Sequence, residues 1–162
     1  MSNISNAAPA DNAQKFKNYK DQFHRLDLAL KYNFNLEVAF IAYAIIEDRT
    51  ESVLRHSGNY DAYIKSRRGH GPTIESKIRY IQKISESKKE LMHRYFSDDL
   101  LDRILAWKED RNRLIHALMK QNLTTENFQQ IAASGTNLAK ELRNRVNNYN
   151  RALNRKNLER EL

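Results

Sequence analysis

The sequence predicts an all-α fold, an up-and-down helical bundle that ends in a long C-terminal helix. Three observations carry this. Only 4 Gly and 2 Pro occur in 162 residues, so few points in the chain invite a turn. Apolar residues recur at intervals of three and four, the spacing that lines one face of a helix. Residues suited to capping a helix N-terminus stand just ahead of several of these runs. No internal repeat or linker interrupts the pattern. Residues 1–10, MSNISNAAPA, read as a flexible N-terminus, and residues 11–162 as one domain, long enough to bury a real core.

The elements follow in order. Phe16, Tyr19, Phe23, Leu26 and Leu30 share one face of a first helix that ends near Asn33. A second helix is expected from about Asn35 to Arg55. Its segment VAFIAYAII, residues 38–46, is apolar all round, which predicts the buried central helix. Residues 56–72, HSGNYDAYIKSRRGHGP, are mostly loop, punctuated by Gly58, Gly69, Gly71 and Pro72, with room for one helical turn at residues 61–65. Thr73 caps a third helix carrying Ile74, Ile78, Ile81 and Ile84. A short helix over residues 88–96 is followed by one capped by Ser97, with Asp98 and Asp99 in its first turn where carboxylates suit the helix dipole. That helix is expected to reach Gln121. Thr124 or Thr125 caps the last, whose stripe is Phe128, Ile131, Leu138, Leu142, Val146, Tyr149 and Leu153. Ser134-Gly135 is the expected site of a kink, and the charged end RALNRKNLEREL is expected to fray.

Composition bounds the function. The formal charge is +8 and the pI about 9.7, which makes a polyanion a natural partner. Absence of Cys removes disulfides and thiolate chemistry and fits a reducing cytoplasm. The first ten residues lack a basic segment followed by an apolar one, so no secretory signal is read. The longest apolar run is nine residues, too short to span a bilayer. His24, His56 and His93 have no metal-ligand spacing with any partner, and HExxH, P-loop and GxGxxG patterns do not occur. Neither a metal nor a cofactor is expected.

Residues 107–120, WKEDRNRLIHALMK, carry the chemistry. Projected at about 100° per residue, Leu100, Ile104, Trp107, Ile115 and Leu118 form one apolar stripe. Arg111 falls inside it and His116 at its edge. A guanidinium stays charged, so burying it is costly unless the charge is paired. Either an acid from another helix pairs with Arg111, or the stripe lines a cleft at an interface. His116 can exchange a proton near neutral pH. Asn112 lies about one turn before it. Arg can grip non-bridging phosphate oxygens, His can move protons, and an amide can orient the His or a substrate.

The hexamer RNRLIH, residues 111–116, resembles the signature of HEPN-domain proteins: an Arg, a polar residue, a short spacer and a His. Its flanks, LLDRILAWKEDRNRLIHAL, resemble the motif helix of that family. The resemblance implies a helical bundle that dimerises with the motif helices meeting across the dimer, where paired motifs form one metal-independent RNase cleft. Many such proteins are toxins or antiviral effectors, and a cognate antitoxin is then an expected partner. Carried over, Arg111, Asn112 and His116 become the catalytic set. The implied reaction is attack of a ribose 2′-OH on the adjacent phosphate, giving a 2′,3′-cyclic phosphate and a 5′-OH, so DNA is not cut. Some family toxins carry a Tyr two residues after the His, which a partner modifies; Leu118 stands there instead. The alternative is a non-catalytic helical module that binds RNA or protein and dimerises through the same helix.

Two further groups stand out. Arg67, Arg68 and His70 lie in SRRGHGP, just before a helix N-terminus where backbone N–H groups favour anions; they read either as an RNA-phosphate site or as an exposed basic loop. Arg143, Arg145, Arg151, Arg155 and Arg160 decorate the last helix, where a solvated face is the simpler reading. Glu47 projects onto an apolar face with Leu36, Phe40, Tyr43 and Leu54. It is expected to support Arg111 through a direct ion pair, unless that end of its helix is already exposed.

Overall fold

The computed structural model describes residues 11–87 and 90–159. Among them are seven helices and no strand: α1 (Asn12–Lys31), α2 (Asn35–His56), α3 (Tyr60–Ser66), α4 (Ile74–Glu86), α5 (Glu90–Phe96), α6 (Leu100–Ala117) and α7 (Thr125–Leu158). The expected loose N-terminus lies outside the described residues. One apolar core draws on all seven helices, with α2 packed most extensively on α7. None of these helices is long and apolar enough to cross a membrane.

Local chemistry sets most boundaries. The Asp11 carboxylate accepts from Gln14 N at 2.7 Å and opens α1. Thr73 and Ser76 form a reciprocal capping box at the start of α4. At α7, Thr124 N donates to the Asn127 side chain at 3.0 Å. The single turn expected within the long loop is a seven-residue helix, α3. It buries Tyr63 completely, and its hydroxyl shares a 2.7 Å hydrogen bond with Ser76 Oγ.

Three expectations are corrected. Ser97 does not cap α6: its N–H bonds back to His93 O at 3.1 Å and so closes α5. Asp99 holds the cap position, and Asp98 accepts from Leu100 N at 3.3 Å. At the other end α6 stops at Ala117, because Lys120 N and Gln121 N both fold back onto Ala117 O. The apolar run of α2 is not buried all round: Val38, Ala39, Ala42, Ile45 and Ile46 are inside, but Phe40 is 53% exposed.

Helix α7 runs unbroken for 34 residues, about 51 Å at 1.5 Å per residue. Gly135 does not interrupt it. It clears space for Trp107 of α6, and a Cβ at 135 would fall 2.7 Å from indole Cε2. The indole N–H donates to Ile131 O at 2.9 Å. Small residue and large ring therefore lock α6 onto α7 at the start of the motif segment. Arg103 reinforces the contact with two hydrogen bonds to Glu141 at 2.8 and 3.0 Å.

The fit of Trp107 over Gly135 makes Gly135→Ala an overpacking change. Urea melts should show a loss of about 1–3 kcal/mol. In Trp107→Leu the same change should have little effect, because the ring that it meets is gone. Equal losses in both backgrounds would show that Gly135 matters for another reason.

Candidate functional site

The Arg111 side chain reaches from α6 to two aromatic rings of α2. No carboxylate among the described residues comes within salt-bridge distance of it. Its guanidinium carbon sits 4.6 Å from the ring centre of Phe40 and 4.8 Å from that of Tyr43. Phe40 and Tyr43 are three residues apart on α2, so their rings share one side of that helix. Nη1 donates to Asn112 Oδ1 at 3.1 Å, and Nε is buried without a hydrogen-bond partner. Burial pulls the guanidinium below the usual arginine value, and the Tyr43 phenol opposes this. The group nevertheless remains a cation, attracted to the ring faces and not neutralised by an acid.

The expected Glu47–Arg111 ion pair is therefore absent. The Glu47 carboxylate instead lies 3.6 Å from Lys77 Nζ. Lys77, on α4, is only 3% exposed, and its ammonium also donates to Glu51 at 2.9 Å. The physical reason is competition. An ammonium buried this deeply needs countercharge more than a guanidinium already lying on two rings. Burial alone would lower Lys77, but the hydrogen bond and charge of Glu51, with Glu47 behind it, hold it above the usual lysine value. Glu51 mirrors this: burial would raise it, and Lys77 and Arg55 together hold it below the usual carboxylate range.

Tyr43 stands between the two charge systems. Burial and the Glu47 carboxylate push its phenol up, while Arg111, Lys108 and Lys77 act in the opposite sense. Lys108, one turn before Arg111, bonds Glu75 at 3.0 Å and Glu109 at 2.7 Å. Glu47 thus reaches the site only indirectly, through Tyr43.

The structure joins Arg111 to Asn112 but leaves His116 apart. His116 is exposed on the last turn of α6, and no hydrogen bond or ion pair reaches it among the described residues. Asn112 accordingly orients the arginine and not the histidine. Beyond Arg111 the stripe loses cover: Ile115 is half-buried, Leu118 is exposed, and Met119 is almost wholly so. A groove of about 780 Å³ lies beside α6, against α7, walled by Trp107, Leu114, Asn127, Gln130 and Asn137; Arg111, Asn112 and His116 do not line it.

The loop cations do not converge either. Arg67 turns into a cavity of about 450 Å³ with Tyr80, Arg79 and Lys83, and its Nη2 donates to Gly71 O at 3.3 Å. Arg68 and His70 are exposed and do not line that cavity. Arg68 and Gly69 both have positive φ, 48° and 87°, so the chain reverses between the side chains. On α7, Arg145 binds Asp98, Glu141 and Tyr95 O within the fold, whereas Arg143 is exposed and lies over the Phe23 ring. Arg160 lies outside the described residues. No group of three or more His, Asp or Glu side chains among the described residues is placed to hold a metal ion.

Sequence reasoning missed Lys77 and Glu51, and it treated Phe40 and Tyr43 only as apolar neighbours of Glu47. The signal for Lys77 was present. It falls three residues after Ile74 and four before Ile81, on the same helical face as the isoleucines. No known protein family matches the chain, and neither a curated protein nor a solved structure shows significant similarity to it.

These pairings predict a defined pattern of coupling. Glu51→Gln should cost about 3 kcal/mol, because it leaves a buried ammonium with only the more distant Glu47. The Glu51 contribution is fully present above the usual glutamate pKa and disappears as pH falls through its lowered value. Denaturant melts across that acid range should therefore be flatter for the variant. Glu47→Gln and Lys77→Met should couple by about 1–3 kcal/mol, whereas Glu47→Gln and Arg111→Leu should add. Coupling in the second pair but not the first would restore the arginine as the partner of Glu47.

Proposed function

We propose that this protein is a homodimeric, metal-independent endoribonuclease of HEPN type, with an up-and-down helical bundle, working in the cytoplasm as a toxin–antitoxin or antiphage effector. One observation carries the reading: Arg111 holds a full positive charge on the apolar side of its helix, and no acid among the described residues neutralises it. A structural arginine at such a position is expected to be paired. One left without an acid, set over the Phe40 and Tyr43 rings and tied to Asn112, is set to receive an anion from outside the chain. Phosphate oxygens suit it, since a guanidinium offers planar paired donors.

In this reading Arg111 stabilises charge on the phosphorus oxygens as the 2′-OH attacks. His116 acts as base or acid, and Asn112 fixes the guanidinium. The exposed stripe through Ile115, Leu118 and Met119 is the face that a second protomer covers, bringing two motifs together over one RNA strand. Among the loop cations, Arg67 is the best placed for an additional phosphate contact. Glu47 supports the site from behind Tyr43, and a cognate antitoxin would cover the motif face. A second reading, a non-catalytic RNA- or protein-binding module, is favoured by one feature: nothing among the described residues orients His116.

Purified protein should cut single-stranded RNA in EDTA and leave cyclic phosphate ends. Arg111→Ala and His116→Ala should each lose at least about 10²–10⁴ in rate while melting as cooperative folded proteins. Arg111→Lys should also be impaired, because an ammonium cannot lie flat on the rings and present two donors. RNA that is bound but left intact by the parent protein would establish the binding module instead.

Light scattering at micromolar concentration should give the mass of a dimer, and Leu118→Glu should return it to monomer. A parent protein that is monomeric, or a dimer indifferent to Leu118→Glu, would remove this face from the assembly.

A further inference from the structure

Phe40 is a large aromatic side chain left more than half exposed, although the Arg111 guanidinium lies over its ring, 4.6 Å from the centre. We infer that Phe40 is a base-stacking platform, so that the site takes an unpaired nucleotide with its base on the Phe40 ring and its phosphate on Arg111. This rests on the RNA reading above and adds the contact that selects an unpaired nucleotide, with duplex excluded at the point of contact.

The argument is one of mixed chemistry on one small surface. An apolar partner could cover the ring but would strip water from Arg111 and offer it no acid. An acidic partner could pair with the arginine but would leave the ring in water. A nucleotide supplies both complements, a π-face and an anion, joined by one sugar. Base–aromatic stacking is a common mode of single-strand recognition and tolerates any base. In a duplex the base is already stacked on its neighbours and is not free to move onto the ring. Charge argues in the same direction, since a net charge of +8 draws a polyanion toward the chain. Tyr43 also meets the guanidinium, but it is half-buried and offers less open ring than Phe40.

The test uses 2′-O-methyl oligonucleotides, which lack the attacking hydroxyl and stay intact during binding. A labelled strand carrying bases is compared with a sugar–phosphate strand of equal length that is abasic throughout. The parent protein should bind the base-bearing strand roughly 5- to 100-fold more tightly, the range that one stacked base supplies. Phe40→Ala should lose that preference and bind both strands at the abasic level, and Phe40→Trp should restore it. Arg111→Ala should weaken both strands. Equal affinity of the parent for the two strands would overturn the stacking role and leave the phosphate role of Arg111 standing. Binding of neither strand would overturn the RNA reading itself. A Phe40→Ala protein that keeps its base preference but falls from dimer to monomer would assign the ring to a second copy.

Discussion

A full positive charge lies inside the core at Lys77, and the arrangement of α2, α4 and α6 depends on how it is neutralised. An unpaired ammonium at that depth would be prohibitively costly. Helix α2 answers with Glu47 and Glu51, one turn apart, so both carboxylates face Lys77. That requirement fixes the rotation of α2 about its axis. Residues four and seven before Glu47 then fall on the same side of the helix. These are Tyr43 and Phe40, and they are what Arg111 meets when α6 packs alongside. Glu47 and Glu51 are taken up by Lys77, Glu51 by Arg55 as well, and Arg111 is left on aromatic faces.

This explains both what the sequence made legible and what it did not. Few glycines, few prolines and spacings of three and four were enough to place the helices, and Thr73 and Thr124 mark two starts clearly. Ser97 was misread because capping side chains recur in runs; in Ser97-Asp98-Asp99 only the path of the backbone decides which residue takes the cap. Gly135 looked like a kink because its real purpose, room for Trp107, lies on another helix. For the site, projection correctly put Arg111 on the apolar side of α6. It could not choose the partner of Glu47, because two helical projections give faces and not relative heights. Glu47 and Arg111 both belong on inward faces, yet Lys77 reaches the carboxylate and the rings reach the guanidinium.

The choice of arginine at 111 follows from the same geometry. A lysine there would carry a compact, strongly hydrated charge needing three hydrogen-bond acceptors, and the rings of Phe40 and Tyr43 provide none. A guanidinium is planar and weakly hydrated, so it can lie on an aromatic surface while its edge stays available. The single internal hydrogen bond, from Nη1 to Asn112, fixes the plane without neutralising the charge. The buried, unpartnered Nε is an expense that a purely structural side chain would be expected to avoid. It is consistent with a side chain held in one orientation for a purpose outside the chain.

His116 poses the complementary problem. Five residues beyond Arg111, it sits on another side of α6, exposed and without an orienting partner. General acid–base chemistry needs a proton path of hydrogen-bond length and a fixed ring, and a solvated imidazole on the last turn of a helix has neither by itself. Under the proposed reading, the missing constraint comes from outside the chain. The uncovered residues nearby point to its place: Leu118 and Met119, just past the end of α6, are apolar side chains that the fold leaves exposed. Covering them would dehydrate the end of α6 and bring a second wall against His116. It would also intensify the field of Arg111, since the same charge acts more strongly once water is excluded. Assembly and chemistry would then be one event, with the isolated chain holding a ready cation and an unready histidine. A modulator that blocks this face would silence the site without touching either residue.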